Sequence, residues 1–284
     1  MIQVKELKYT YPRKKQQTLR GLDFEIGAGE VFGFLGPSGA GKSTIQNILV
    51  GKLQNYEGAV HVFGQEMKKA GVDYYERIGV SFEFPNFYGR FTALENLNHF
   101  RSLYRNRDAE PMALLESVGM SQAAHTKVEQ FSKGMKMRLN YCRAVLNDPE
   151  ILFLDEPTSG LDPVNTAMLK RLILQRKEAG TTVLITTHNM QAAEELCDRV
   201  AFIVDGEIKR IDTPHNLKLR GGERKVRVEY EGDQGRSSED FALDGIGDDA
   251  RFLELLRYRQ IITMHTLEAS MDQIFIDVTG RSLV

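Results

Sequence analysis

The run Gly36-Pro37-Ser38-Gly39-Ala40-Gly41-Lys42-Ser43-Thr44 carries the clearest chemistry in the chain. Gly36 to Ser43 fit G-x-x-x-x-G-K-[ST], a loop pattern that cradles phosphate. Glycines let the backbone wrap closely round an anion, because no Cβ blocks the required dihedrals. The wrapped N–H groups and the start of the following helix then aim positive partial charge at a phosphate. Lys42 adds a full charge for the outer phosphates, and the Ser43 hydroxyl is placed for Mg²⁺. The implied ligand is a nucleoside triphosphate with its magnesium ion. A second group lies farther on, where the apolar run Ile151-Leu152-Phe153-Leu154 ends in Asp155-Glu156. Asp155 is suited to the same Mg²⁺, and Glu156 to orienting or deprotonating a water. His188, at the tip of another predicted strand, is placed to donate a hydrogen bond to the outermost phosphate.

These residues need rigid elements behind them. Val31–Leu35 reads as a buried strand, and Ile45–Val50 as a helix stopped near Gly51. The run from Ile151 is apolar throughout, as in a parallel sheet buried on both faces, and ligands of open α/β sheets bind at the carboxyl ends of such strands. Thr182–Thr187 is the next buried strand. Ile2 to about Glu30 reads as short strands, with further strands at Ala59–Phe63 and Ile78–Phe82. Tyr11, at a strand end, either stacks on a purine or is a half-exposed edge tyrosine. The loop Glu83–Phe91 holds four aromatics, which either present an apolar patch to a partner or fold back onto the core. Thr92 and Glu95 form a capping box, opening a segment read as mostly helix to about Asp148, with breaks near Asp108–Pro111 and Gly119–Ser121. Asp162 and Pro163 start another helix, running to about Gly180. Strands at Arg199–Val204 and Glu207–Ile211 flank the turn Asp205-Gly206. From about Pro214 the character changes. A strand at Arg224–Tyr230, a loop over Gly232–Asp249 and a strand at Gln260–His265 precede a final helix with Leu267, Met271, Ile274, Phe275 and Val278 on its apolar face.

Composition narrows the class. The 284 residues suffice for one large domain and a smaller one. A net charge of -2 gives no broad attraction to nucleic acid or anionic lipid. No long uncharged apolar run suggests a membrane span, and the N-terminus does not read as a signal peptide. Cys142 and Cys197 stand in no metal-ligand spacing and read as buried reduced thiols.

The chain resembles the ATP-binding subunit of ABC transporters from near Met1 to about Leu217. Gly36–Thr44 matches the phosphate loop, and Glu83 falls where the family usually has a glutamine. Phe131-Ser132-Lys133-Gly134-Met135 falls at the LSGGQ signature. Ile151–Glu156 matches the Walker B strand, Ser159-Gly160-Leu161-Asp162 the D-loop, and His188 the switch histidine. The resemblance implies that Tyr11 stacks on adenine. It also implies that ATP is clamped between two subunits, held by Gly36–Thr44 of one and by Ser132 and Gly134 of the other, with Asp162 of the D-loop also binding nucleotide. Ser132 is a good N-cap, so the helix behind it would offer free N–H groups to an anion. Ser43, Glu83 and Asp155 would hold Mg²⁺, while Lys42, Glu156 and His188 would serve hydrolysis. Three departures stand out: Glu83 for an amide, Lys133 for the first signature glycine, and Met135 for the last glutamine. The S-K-G-M signature and the segment Thr266-Leu267-Glu268…Ile274-Phe275 look like the drug and antibiotic exporter branch.

The expected fold is α/β. It comprises a RecA-like P-loop ATPase core with an antiparallel β subdomain, an inserted helical signature subdomain and a small C-terminal α/β appendage. The expected domains are an ATP-binding domain over 1–216, with the helical subdomain at about 84–148, and an accessory region over 217–284. The expected role is ATP hydrolysis powering export through a separate integral membrane permease. The chain would act as a pair of ATP-binding subunits, cytoplasmic and peripheral at the inner face of the membrane, with no nucleic-acid partner. The rivals are an importer subunit and a soluble ABC ATPase. The ribosomal kind of the latter usually joins two cassettes in one chain. The DNA kind needs a long coiled coil, for which no heptad run is present.

Overall fold

The computed structural model describes residues 1–12, 14–220, 225–232, 235–267 and 269–281. The chain divides into two compact units, one from Met1 to Thr213 and the other from Pro214 onward.

In the first unit, β1 (Ile2–Tyr9), β2 (Leu19–Ile26), β4 (Glu57–Val62) and β5 (Gln65–Glu66) form an antiparallel sheet in the order β2-β1-β4-β5. A second sheet runs β10-β9-β3-β8-β7-β6, with β3 (Val31–Leu35), β6 (Ile78–Ser81), β7 (Ile151–Asp155), β8 (Thr182–Thr187), β9 (Arg199–Val204) and β10 (Glu207–Asp212). All its pairings are parallel except β9 with β10. β3, β7 and β8 are buried at every position, as strands covered on both faces must be. The helix α1 (Lys42–Leu49) follows β3 and inserts Ile45, Ile48 and Leu49 into the core shared by the two sheets. The turn at Asp205-Gly206 has φ of 52° and 77°, the left-handed pair that a two-residue hairpin of this kind demands. α2 (Val72–Glu76) precedes β6; α6 (Pro163–Glu178) and α7 (Met190–Leu196) precede β8 and β9.

Between β6 and β7 lie α3 (Ala93–Ser102), α4 (Pro111–Ser117) and α5 (Lys133–Ala144). The capping box at the start of α3 is complete: Glu95 N donates to Thr92 Oγ1 and Thr92 N to Glu95 Oε2. The block is less helical than its sequence suggested. Residues 103–110 are irregular, and 118–132 hold only short 3-10 turns. Local turn chemistry accounts for this: Asp108 N donates to Asn106 Oδ1, and Gly119 has φ 66°.

The second unit contains α8 (Pro214–Arg220), β11 (Lys225–Gly232), β12 (Gly235–Ala242), α9 (Ala250–Tyr258), β13 (Ile261–Leu267) and α10 (Met271–Thr279). Its sheet order is β12-β11-β13, with Val226, Val228, Tyr230, Phe241, Phe252 and Leu255 at its core. Three expectations are corrected here. Gly232–Asp249 is not simply a loop, because β12 pairs with β11 from Gly232↔Gly235 to Lys225↔Ala242. Its polar residues stand on a strand because cross-strand partners hold them: Arg227 with Asp240, and Tyr230 with Glu239. Leu267 belongs to β13 rather than to the final helix, whose buried residues are Met271, Ile274 and Phe275. Val278 lies 37% exposed. Of the residues expected in strand or motif, Arg224 and Glu268 lie outside the described set. α8 and α9 were not anticipated, although Asp249 caps α9 by accepting from Phe252 N.

Cys142 and Cys197 are buried and unbonded to each other. Burial pushes both thiols far above the ordinary cysteine range, which removes the reactive thiolate. Neither should react with Ellman's reagent in the native protein within minutes, and both should react once the chain is unfolded in guanidinium. Rapid native labelling would show that the packing round them opens.

Candidate active site

Parallel pairing sets three strand ends side by side. Leu35 of β3 lies in register with Thr187 of β8, and Asp155 of β7 with Thr186. The phosphate loop leaves β3, Glu156 leaves β7 and His188 leaves β8 at the same carboxyl edge. A cleft of about 350 Å³ there is lined by Tyr11, Ser38, Gly39, Gly41, Lys42, Ser43, Thr44, Glu83, Asp155, Glu156 and His188. Lys14 and Thr18 also line it. Residues from far apart in the chain thus converge on one cleft.

The loop is built for close approach. A Cβ on Gly36 would fall 2.1 Å from the Ile203 carbonyl oxygen. Gly41 has φ 113° and stands immediately before α1. Lys42 Nζ donates to the carbonyls of Gly36 at 2.6 Å and Pro37 at 3.0 Å. Ala40 is buried under the loop. Tyr11 Oη lies 3.1 Å from Thr44 Oγ1, and its ring meets Tyr9 edge-on. Tyr11 is half-buried, leaving part of the ring towards the cleft it lines.

The acidic side is held in equal detail. Thr186 Oγ1 donates to Asp155 Oδ1. Burial raises the Asp155 carboxyl above its usual range; the Thr186 hydrogen bond opposes this, while Glu83 and Glu156 add to it. Burial lowers the Lys42 ammonium, and Glu156, Asp155 and Glu83 counteract it. Glu156 is the residue most tightly constrained. Its φ is 47°, a left-handed backbone that costs about 1–2 kcal/mol for a residue with a Cβ. Offsetting contacts surround it: Glu156 N donates to Thr186 O at 2.8 Å. Oε2 accepts from Thr187 Oγ1 at 2.9 Å, and Oε1 accepts from His188 N at 2.9 Å. His188 Nδ1 lies 2.6 Å from the same Oε1. With Nδ1 protonated, Oε1 has both acceptor sites filled and Oε2 keeps one for a water.

Ser132, Gly134 and Asp162 do not line this cleft. Ser132 caps α5 by accepting from Met135 N at 3.2 Å, and is exposed. Asp162 caps α6 by accepting from Asn165 N at 3.0 Å, and is exposed. Thr186 and Thr187 were not singled out as site residues from sequence. Two hydroxyls closing the apolar strand Val183-Leu184-Ile185, just before His188, are the signal that would have found them.

The rings of the aromatic loop divide between exposed and packed positions. Phe84 is 76% exposed, and Tyr88 and Phe91 are also exposed. Phe87 instead packs edge-on to Phe100 and under the Arg143 guanidinium. Buried Asn96 anchors the loop by accepting from Tyr88 N and donating to Tyr88 O. Beside it lies a groove of about 440 Å³, floored by Ile78, Val80, Phe82 and Tyr104 and edged by Lys52 and Arg143.

The chain is similar to several known proteins. The family model described as ABC transporter matches residues 19–159, and that described as fluoroquinolone efflux ABC transporter C-terminal domain matches 224–268. A fluoroquinolones export ATP-binding protein of Mycobacterium tuberculosis (strain H37Rv) is 51% identical over 284 residues, covering 100% of this chain and 94% of that one. The linearmycin resistance ATP-binding protein of Bacillus subtilis (strain 168) is 35% identical over 240 residues, 82% of this chain and 76% of that one. A dimeric ATP-binding cassette in a post-hydrolysis state, bound to ADP and Pi, superposes with a TM-score of 0.66 at 28% identity. The match covers 78% of this chain and 100% of that one.

Replacing Gly36 by alanine should force the loop away from β9. The expected result is a loss of roughly 1–3 kcal/mol of stability, read from denaturant unfolding, together with weakened binding of a fluorescent ATP analogue. Unchanged binding would contradict the close loop–strand contact.

Proposed function

The chain belongs to the ABC transporter family and is one of its ATP-binding ATPases, and from that premise we propose that it is the motor subunit of a drug exporter. The observation that carries the reading is the convergence of Lys42 and Ser43 with Asp155, Glu156 and His188 in one cleft. The exporter assignment draws on the full-length similarity to the mycobacterial fluoroquinolones export protein.

Lys42 and the loop amides bind the phosphates, and Tyr11 stacks on the base. The Oε2 of Glu156 takes a proton from water, while Thr187 and His188 hold that carboxylate in place. Ser43, Asp155 and Glu83 offer oxygen donors alone, which suits a hard cation such as Mg²⁺. Among the described residues no group of three or more His, Cys, Asp or Glu forms a metal cage. Mg²⁺ requires none, since it binds through one or two carboxylates and the substrate's phosphates. Its chemistry when bound is to neutralise charge on the phosphate oxygens.

Ser132, Gly134 and Asp162, which do not line their own cleft, serve a second copy's nucleotide. ATP bridging both surfaces favours the closed pair, because a ligand shifts an equilibrium by binding one state better than the other. A membrane permease receives the motion through the exposed rings of Phe84, Tyr88 and Phe91. Among the described residues no helix is long and apolar enough to cross a membrane, so the path for cargo belongs to that partner. The unit that begins at Pro214, expected from sequence at 217–284, acts as an accessory region.

Glu156→Gln should bind ATP normally and hydrolyse it about 10²–10⁴-fold more slowly, accumulating an ATP-bound dimer on size exclusion. Near-normal phosphate release would remove Glu156 from the base role. Aspartate at Phe84 and Phe91 should abolish drug efflux by the assembled transporter and leave the ATPase of the isolated subunit unchanged. Undiminished efflux would dismiss the coupling assignment.

A further inference from the structure

Lys133 plays no part in the chemistry above, yet its surroundings are specific. Its Nζ donates to Ser159 Oγ at 3.1 Å. Its stem lies across Gly160, where an added Cβ would come within 2.8 Å of Lys133 Cδ and 3.1 Å of Cε. Gly160 has φ 74°, so the turn calls for glycine. A Cβ on Gly134 would meet Gly160 O at 3.2 Å and Leu161 Cδ2 at 3.4 Å. The first turn of α5 therefore packs directly against the loop 158–161. That loop is tied to the base: Ser159 N donates to Glu156 O at 3.0 Å. The route from the Lys133 ammonium to the Glu156 backbone is two hydrogen bonds, joined through Ser159.

We propose that Lys133 is a positioning residue that couples the place of α5 to the turn holding Glu156. Movement of the first turn of α5 pulls on Ser159, which closes the turn that anchors the Glu156 carbonyl, and so shifts the backbone from which the Glu156 carboxylate projects. Loss of the link slackens the base without touching the phosphate loop. A lysine acting instead by direct attraction to phosphate would alter nucleotide affinity. The inference rests on Glu156 serving as the base.

The test is steady-state ATPase of the full chain carrying Lys133→Met, Lys133→Arg, Ser159→Ala or the Met/Ala pair. Lys133→Met should lower kcat about three- to tenfold, the worth of one solvent-exposed hydrogen bond, with KM for ATP changed by less than about twofold. Lys133→Arg should restore most of the rate. Ser159→Ala should lose a comparable factor, and the double variant should be no slower than the worse single one. Multiplying losses, a raised KM at constant kcat, or an unchanged kcat would each overturn the proposal. If Lys133→Met fails to give a folded chain by thermal melting, Ser159→Ala with and without Lys133→Arg carries the same test. Glu156→Gln in parallel separates the two ideas: retained turnover there would fault the base assignment, while the Lys133–Ser159 cycle still reports their coupling.

Discussion

β8 is hydrogen-bonded in parallel between β3 and β7, and the chemistry of the molecule follows from that arrangement. Adjacent parallel strands lie about 4.8 Å apart, so their carboxyl ends deliver side chains within reach of one another. β3 delivers the phosphate loop, β7 the paired carboxylates and β8 the hydroxyls of Thr186 and Thr187 with His188. Each carboxylate of the pair is then held by a group from β8 or the loop after it. A slip by one residue in β8 would move each threonine to the opposite face and break the present pairing of Thr186 with Asp155 and Thr187 with Glu156.

The cleft is electrostatically balanced rather than simply positive. Lys42 is buried, and Asp155 and Glu156 are 8% and 7% exposed. Burial disfavours charge on both Lys42 and Asp155, and each supports the other's charged form. A triphosphate with its cation brings both signs into that balance. In the proposed binding mode the loop donors would receive the anion and the oxygen donors the cation. The left-handed Glu156 is a local cost, offset by four hydrogen bonds from Thr187, His188 and to Thr186.

Much of this was legible in the sequence, because the phosphate loop and the Walker B strand are contiguous and carry their spacing with them. Buried parallel strands could be read from unbroken apolar runs such as Ile151–Leu154. Contacts between distant segments could not. That Thr187 and His188 both grip Glu156, or that Lys133 reaches Ser159, depends on strand order and on the packing of α5, and no local pattern encodes either. β12 escaped for a different reason. Its polar residues Arg236, Ser237, Ser238, Glu239 and Asp240 read as loop by composition, and only pairing with β11 makes them a strand. α9 could have been found from Phe252, Leu253, Leu255 and Leu256 behind the Asp249 cap, an apolar spacing that fits a helix.

The central claim is that one copy's phosphate loop and carboxylates face a second copy's serine-capped helix across a shared ATP. A crystal structure of the Glu156→Gln protein with ATP and Mg²⁺ tests it most directly. The account predicts two chains with two nucleotides between them. Lys42 of one chain and Ser132 of the other should both lie within hydrogen-bond reach of the same terminal phosphate. A nucleotide held by a single chain, with every Ser132 remote from phosphate, would contradict it.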